Sequence, residues 1–179
     1  MPELTDQQIL NFFNEGKQQE AFKLLMTTYQ ERIYWQIRRI VLSHEDTDDI
    51  LQNTLIKVWK GLPNFKGNSK LYTWIFRIAS NETFTFIEKN KKNQNQVDLS
   101  ACYDFSGSSA DHIDGEYIQE KLERALLEVP EKQRMVFHLK YFEDLKYTEI
   151  SEIVGTSVGA LKANYHLAVK KIEDFLKED

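Results

Sequence analysis

The chain has 179 residues, enough for one domain or two small ones, and its 41% hydrophobic content can fill packed cores. Seven glycines and three prolines favour helices, while a single cysteine, Cys102, excludes an intrachain disulfide framework and fits a reducing cytoplasm. The net charge of −5 is unusual for a DNA-binding chain, the acidic start MPELTDQQIL is not a signal peptide, and no apolar run is long enough to span a membrane.

The first predicted helix opens at Thr5 as N-cap, with Gln8 completing a capping box and Leu4 and Ile9 placed as a hydrophobic staple. Ile9, Phe12 and Phe13 share its apolar face, and Gly16 ends it. A second helix is expected over 19–41, where Phe22, Leu25, Met26, Tyr29, Ile33, Ile37 and Ile40 recur at helical spacing. Arg32, Arg38 and Arg39 occupy its other face and are read as solvated. Ser43–Asp49 is a turn leading into an acidic helix start, where Asp46, Asp48 and Asp49 complement the helix dipole.

On the third helix Ile50, Leu55, Val58, Trp59 and Leu62 mark an inward face. Asp49, Gln52, Asn53 and Ile56 lie together on another face, which asks for a partner. The loop GLPNFKGNSK looks superficially like a phosphate loop. Five residues rather than four separate its glycines, and Asn68 stands where lysine is required, so nucleotide binding is rejected. Ser69 is the expected N-cap of a helix over 70–87, with Leu71, Trp74, Ile75 and Ile78 facing a core. Tyr72, Thr73, Arg77, Asn81 and Phe84 are left for other faces. Lys66, Lys70, Arg77, Lys89, Lys91 and Lys92 outnumber Glu82 and Glu88, so this stretch is locally basic. Aromatics interleaved with cations suit single-stranded nucleic acid, because rings stack on bases and cations meet phosphates.

Residues 93–115 lose all periodicity and are rich in Asn, Gln, Ser, Gly and Asp. Their only formal charges, Asp98, Asp104, Asp111 and Asp114, are negative, and the segment is read as a linker. Beyond it, Ile118, Leu122, Leu126 and Val129 give one apolar helix face, and Pro130 sits in the first turn of the next helix. Met135, Val136, Leu139 and Phe142 continue that core. Thr148 is the expected cap of a short helix holding Ile150, Ile153 and Val154. Gly155 makes a turn, and Ser157 caps a longer helix with Leu161, Tyr165, Ala168, Ile172 and Phe175 on its buried side. This is a helix-turn-helix pattern. Lys162, Ala163, Asn164 and His166 are placed on the exposed side of the half that enters a major groove, with Lys170 and Lys171 available to phosphates.

His44, His112, His138 and His166 have no metal-site spacing, and no HExxH, GxSxG or Gly-rich nucleotide fingerprint appears. No catalytic constellation, metal or cofactor is expected, and the chain is read as non-enzymatic.

Two blocks carry a family resemblance. DDILQNTLIKVWKGLPNFKGNSKLYTWIFRIASN, residues 48–81, resembles region 2 of extracytoplasmic-function sigma factors, the small two-domain group of the sigma-70 family. LLEVPEKQRMVFHLKYFEDLKYTEISEIVGTSVGALKANYHLAVKKI, residues 126–172, resembles their region 4. The resemblance implies an all-α fold of two small helical domains: region 2 over 1–92 and a region 4 helix-turn-helix over 116–179, joined by a flexible linker over 93–115. It implies a cytoplasmic promoter-specificity subunit with no membrane insertion of its own. Such a subunit binds core RNA polymerase, melts the −10 element, reads the −35 element and has an anti-sigma factor as a further partner. By the same resemblance Asp49, Gln52, Asn53 and Ile56 dock on the polymerase clamp helices, although Asn53 stands where the family often has an acid. Phe65, Lys66, Asn68, Ser69, Tyr72, Arg77 and Asn81 are assigned to capture of the −10 strand. Ser157, Lys162, Ala163, Asn164, His166 and Lys170 are assigned to the −35 element, with Asn164 and Leu167 standing where many relatives carry arginine. The acidic linker is expected to thread a basic polymerase channel. The alternative is a free-standing helix-turn-helix regulator with an N-terminal sensor or dimerisation domain, which would have no need of a basic aromatic helix beside an acidic docking face.

Overall fold

The computed structural model describes residues 2–93 and 115–178, and every regular element among them is helical. The helices fall into two compact units, one N-terminal and one C-terminal. Apart from its two end residues, the linker expected over 93–115 lies outside the described residues, and Cys102 and His112 with it.

The N-terminal unit holds α1 (Pro2–Asn14), α2 (Gln18–Val41), α3 (His44–Gly61), a 3₁₀ turn (Leu62–Asn64) and α4 (Leu71–Asn93). Thr5 is not the cap of α1. The helix already begins at Pro2, whose fixed φ suits a first helical position, so Thr5 falls inside it. Gly16, at φ +77°, ends α1 as expected. The Lys17 N–H reaches the Phe12 carbonyl at 2.9 Å and the Gly16 N–H reaches Phe13 at 3.1 Å, a Schellman closure. Ser43, placed in a turn by the sequence, caps α3: its Oγ accepts from the Asp46 N–H at 3.3 Å, so the helix starts at His44.

The core of this unit joins Ile9 of α1 to Leu25, Ile33, Ile37 and Ile40 of α2, Ile50 and Val58 of α3, and Ile75 and Phe76 of α4. Two buried polar links cross it. The Tyr29 hydroxyl donates to the Asp6 carboxylate, tying α2 to α1. Burial, then the Asp6 hydrogen bond, push the Tyr29 hydroxyl far above its ordinary range, so it stays a neutral donor. Gln36, fully buried, donates from Nε2 to Ser80 Oγ at 2.9 Å and to the Phe76 carbonyl at 3.3 Å, fixing α4 against α2. The arginines of α2 do not form a freely solvated face. Arg32 lies 5.0 Å from the Phe76 ring centroid, Arg39 lies 5.1 Å from that of Trp35, and Arg38 donates to the Leu42 carbonyl. Their stems cover apolar surface while the heads sit on rings and a helix end.

The C-terminal unit holds α5 (Gly115–Leu127), α6 (Glu131–Phe137) continued by a π-helical turn (His138–Phe142), α7 (Tyr147–Val154) and α8 (Val158–Glu178). Ala125, Leu126, Val129, Phe137, Ala168 and Ile172 form its buried cluster, flanked by Leu122, Phe142 and Tyr165. Thr148 does not cap α7. The helix starts at Tyr147, and the Lys146 N–H donates to the Glu149 carboxylate at 3.0 Å, which leaves Thr148 exposed within the first turn.

Gly155 adopts φ +69° and its N–H closes α7 on the Ser151 carbonyl at 2.9 Å. The Ser151 hydroxyl pins the same turn by donating to the Thr156 carbonyl at 2.7 Å. No heavy atom lies within 4 Å of where a Gly155 Cβ would stand, so only backbone conformation restricts this position. Gly155→Val is therefore expected to lower stability by about 1–2 kcal/mol, and Gly155→Asn by much less. Urea unfolding of the full chain followed by circular dichroism checks this; equal costs for the two variants would contradict the conformational account.

Candidate nucleic-acid interface

The loop before α4 is held from both sides. Phe65 packs on Trp74 with ring centroids 5.3 Å apart. A Cβ added at Gly61 would meet Trp74 Cζ2 at 2.9 Å, so the indole lies directly on the end of α3. Trp74 is thus half-buried as a bracket for the loop and is not fully in the core. Between these anchors Lys66 and Asn68 are exposed, Gly67 takes φ +70°, and Ser69 is half-buried. Ser69 stands one residue ahead of the cap position, because the first α4 bond runs from the Trp74 N–H to the Lys70 carbonyl at 3.1 Å. Further along α4, Arg77 and Asn81 are both exposed, one turn apart on the same face.

Tyr72 departs from expectation. Only 6% of it is exposed, its ring sits edge-on to Phe76, and the Lys70 ammonium lies 5.6 Å from its centroid. Thr73 is also buried, at 3%. The cause is that α4 packs against both α2 and α3, so its buried arc is wider than one amphipathic stripe. Phe76, which the apolar spacing did not assign to the core, is fully buried for the same reason.

On α3, Asp49, Gln52, Asn53 and Ile56 are all exposed, and Ile56 keeps 45% of its surface in solvent. Beside them lies an apolar groove of about 520 Å³ lined by Gln18, Phe22, Gln52, Leu55, Ile56 and Trp59. Trp59 meets Phe22 and Phe13 edge-on at 5.0 and 5.9 Å. The sequence places Phe22, Leu55 and Trp59 on inward faces. They wall this groove because α1 and the start of α2 leave the outer edge of α3 uncovered. Lys57, also on α3, reaches Glu82 of α4 at 2.5 Å and so neutralises the acid nearest Asn81.

In the C-terminal unit, Ser157 caps α8, its Oγ accepting from the Ala160 N–H at 3.4 Å. Leu161, Ala168 and Ile172 are buried, and Lys162, Ala163, His166, Leu167 and Lys170 point to solvent. Asn164, expected fully outward, is half-buried, because it follows the buried Leu161 by three residues at the edge of the inward arc. Tyr147, at the start of α7, holds two cations near its ring, Lys140 at 5.8 Å and Lys162 at 5.9 Å. Neither Tyr147 nor Lys140 was singled out from the sequence. Their meeting depends on the π-helical turn that carries Lys140, which periodicity does not reveal.

Two family models match segments of the chain. A family model described as sigma-70 region 2 matches residues 25–93, and one described as sigma-70, region 4 matches residues 119–172. The chain is 29% identical over 182 residues to the ECF RNA polymerase sigma-E factor of Haemophilus influenzae, covering 96% of this chain and 95% of the relative. The sigma-E factor of Escherichia coli K12 is likewise 29% identical, covering 96% and 94%. In fold, the chain is similar to CnrH, solved in complex with the cytosolic domain of CnrY, with a TM-score of 0.69, 19% identity and coverage of 99% and 97%. It is similar also to the sigma factor RpoE of Bartonella quintana, solved with the anti-sigma factor NepR, with a TM-score of 0.72, 21% identity and coverage of 89% and 99%.

Proposed function

This chain belongs to the extracytoplasmic-function group of the sigma-70 family, and we propose from that premise how its surfaces divide the work of promoter-specific initiation. It is a sigma factor: it binds core RNA polymerase and promoter DNA and directs where transcription begins. The family consists of non-enzymatic initiation factors, and we assign no reaction to this chain. No helix among the described residues is long and apolar enough to cross a membrane, and the proposed place of action is the cytoplasm, with the polymerase. An anti-sigma factor is the further partner, since both structural neighbours were solved with a bound partner and the one beside RpoE is named an anti-sigma factor.

The observation that carries the division of roles is that two exposed cationic faces stand in separate compact units, in a chain whose net charge is −5. In the N-terminal unit, Asp49, Gln52, Asn53 and Ile56 form the polymerase-docking face, extended by the adjoining groove. Lys66, Asn68, Arg77 and Asn81 accept the separated −10 strand. Unstacking costs a few kcal/mol per base, and exposed cations meeting the strand offset it. Phe65 and Ser69 set the loop that presents these groups. Tyr72 serves beneath that surface as a packed support. In the C-terminal unit, α8 enters the major groove of the −35 element through Lys162, Ala163 and His166. Asn164 sits at the edge of that face, Lys170 meets phosphate, and Ser157 fixes the helix start. The regulator alternative is not favoured, because the region 2 match covers most of the segment that would have to be its sensor domain.

Transcription in vitro with core polymerase and a promoter library tests the assignment. A restricted set of start sites that depends on this chain is expected. No association with core polymerase and no selective transcript would overturn it.

A further inference from the structure

From Val158 to Ile172, α8 carries Lys162, His166, Lys170 and Lys171 and no acid, although the whole chain is acidic. That local charge selects a polyanion as the occupant of the outer face. On this face stands an apolar side chain that the fold leaves nearly half exposed. Leu167 is 46% exposed, on the side of the helix away from the buried Leu161, Ala168 and Ile172. Ala163, one turn before it, is exposed as well, and side chains four apart share one ridge. Lys162 and His166 flank the ridge on one side, and Lys170 stands beyond its end.

A single exposed leucine on a protein surface is ordinary. On a helix face that enters a DNA groove it has a chemical consequence. Base edges in the major groove are otherwise donors and acceptors, and the thymine C5 methyl is the one apolar group among them. Leucine and alanine cannot hydrogen-bond, and they leave desolvated any donor or acceptor they cover. Thymine methyls are therefore the groups this ridge recognises with least loss. We propose that Leu167, with Ala163, is a specificity-determining contact that reads thymine methyl groups in the duplex upstream element.

The inference rests on α8 being the reading helix, and the experiment separates the two. Holoenzyme formed from core polymerase and the full chain first selects its preferred upstream duplex from a randomised library. Each thymine of the selected duplex is then replaced, one at a time, by deoxyuridine, which removes only the methyl. Binding by wild type is expected to weaken about three- to fivefold at the contacted positions, the loss of one buried methyl-sized group. Leu167→Ala is expected to bind the thymine duplex more weakly and to lose most of the difference between thymine and uracil. Leu167→Met, which keeps an apolar chain, is expected to retain it. If a duplex is selected but no position is methyl-sensitive, or if Leu167→Ala keeps full sensitivity, the methyl reading is overturned and the −35 role of α8 stands. If no upstream duplex is selected, both fall.

Discussion

Phe76→Ala is expected to destabilise the N-terminal unit by about 3–5 kcal/mol, the range for removing a fully buried phenyl ring. The ring is 0% exposed, packs edge-on to Tyr72 at 6.3 Å and lies 5.0 Å beneath the Arg32 guanidinium. Its own carbonyl receives the buried Gln36 amide, so any shift of α4 that fills the cavity also strains the link from α2. The change therefore removes apolar burial and loosens a buried polar contact together. The measurement is favourable because all three tryptophans, Trp35, Trp59 and Trp74, belong to this unit. Urea unfolding followed by tryptophan fluorescence thus reports it separately from the C-terminal helices. A loss under about 1 kcal/mol would mean that α4 is not held through this ring. Because α4 carries Arg77 and Asn81, promoter opening is expected to fail at temperatures where binding of the upstream duplex persists.

The parts of this fold that were legible in the sequence are those fixed by local chemistry. Gly16 and Gly155 needed no tertiary information, since a positive φ at a helix end is a property of the glycine itself. Ser157 was readable as a cap because it directly precedes the helical run, where its Oγ accepts from the Ala160 N–H. Thr5 and Thr148 were misplaced because each has a rival start signal upstream: Pro2 in one case, and in the other Lys146, whose N–H is bound by the Glu149 carboxylate. Burial on α4 was misjudged for a different reason. A helical wheel assumes one partner, and α4 has two, so Tyr72 and Thr73 were drawn inward along with Phe76. The α2 arginines differ from the expected solvated face for another reason. Charge predicts a head near water and says nothing of a stem lying over Phe76 or Trp35. The exposed residues of α3 and α8 were legible because polar side chains at helical spacing opposite an apolar stripe have few other places to go.

Ile56→Glu is expected to leave folding intact and to cost at least about 30-fold in affinity for core polymerase, the scale of an interface hot spot. At 45% exposure Ile56 contributes little to the folded core, so unfolding should change by no more than about 0.5 kcal/mol. Its surroundings suit it to anchor the docking face proposed for α3. It borders the apolar groove walled by Phe22, Leu55 and Trp59, while Asp49, Gln52 and Asn53 supply a polar rim. Interfaces concentrate their energy in such a centre, where the rim excludes water. A carboxylate placed there has to be desolvated on docking, a cost that Lys60, one turn further along the groove, offsets only in part. Gln52→Ala and Asn53→Ala, at the rim, should each cost less than Ile56→Glu, since truncation leaves room for water to replace the lost hydrogen bonds. Affinity of the full chain for core polymerase, measured beside urea unfolding of the same variants, decides the matter. Full core affinity in a folded Ile56→Glu variant would move the docking face away from this side of α3. A loss of affinity that tracked a loss of stability would instead make Ile56 a structural residue, contrary to its exposure.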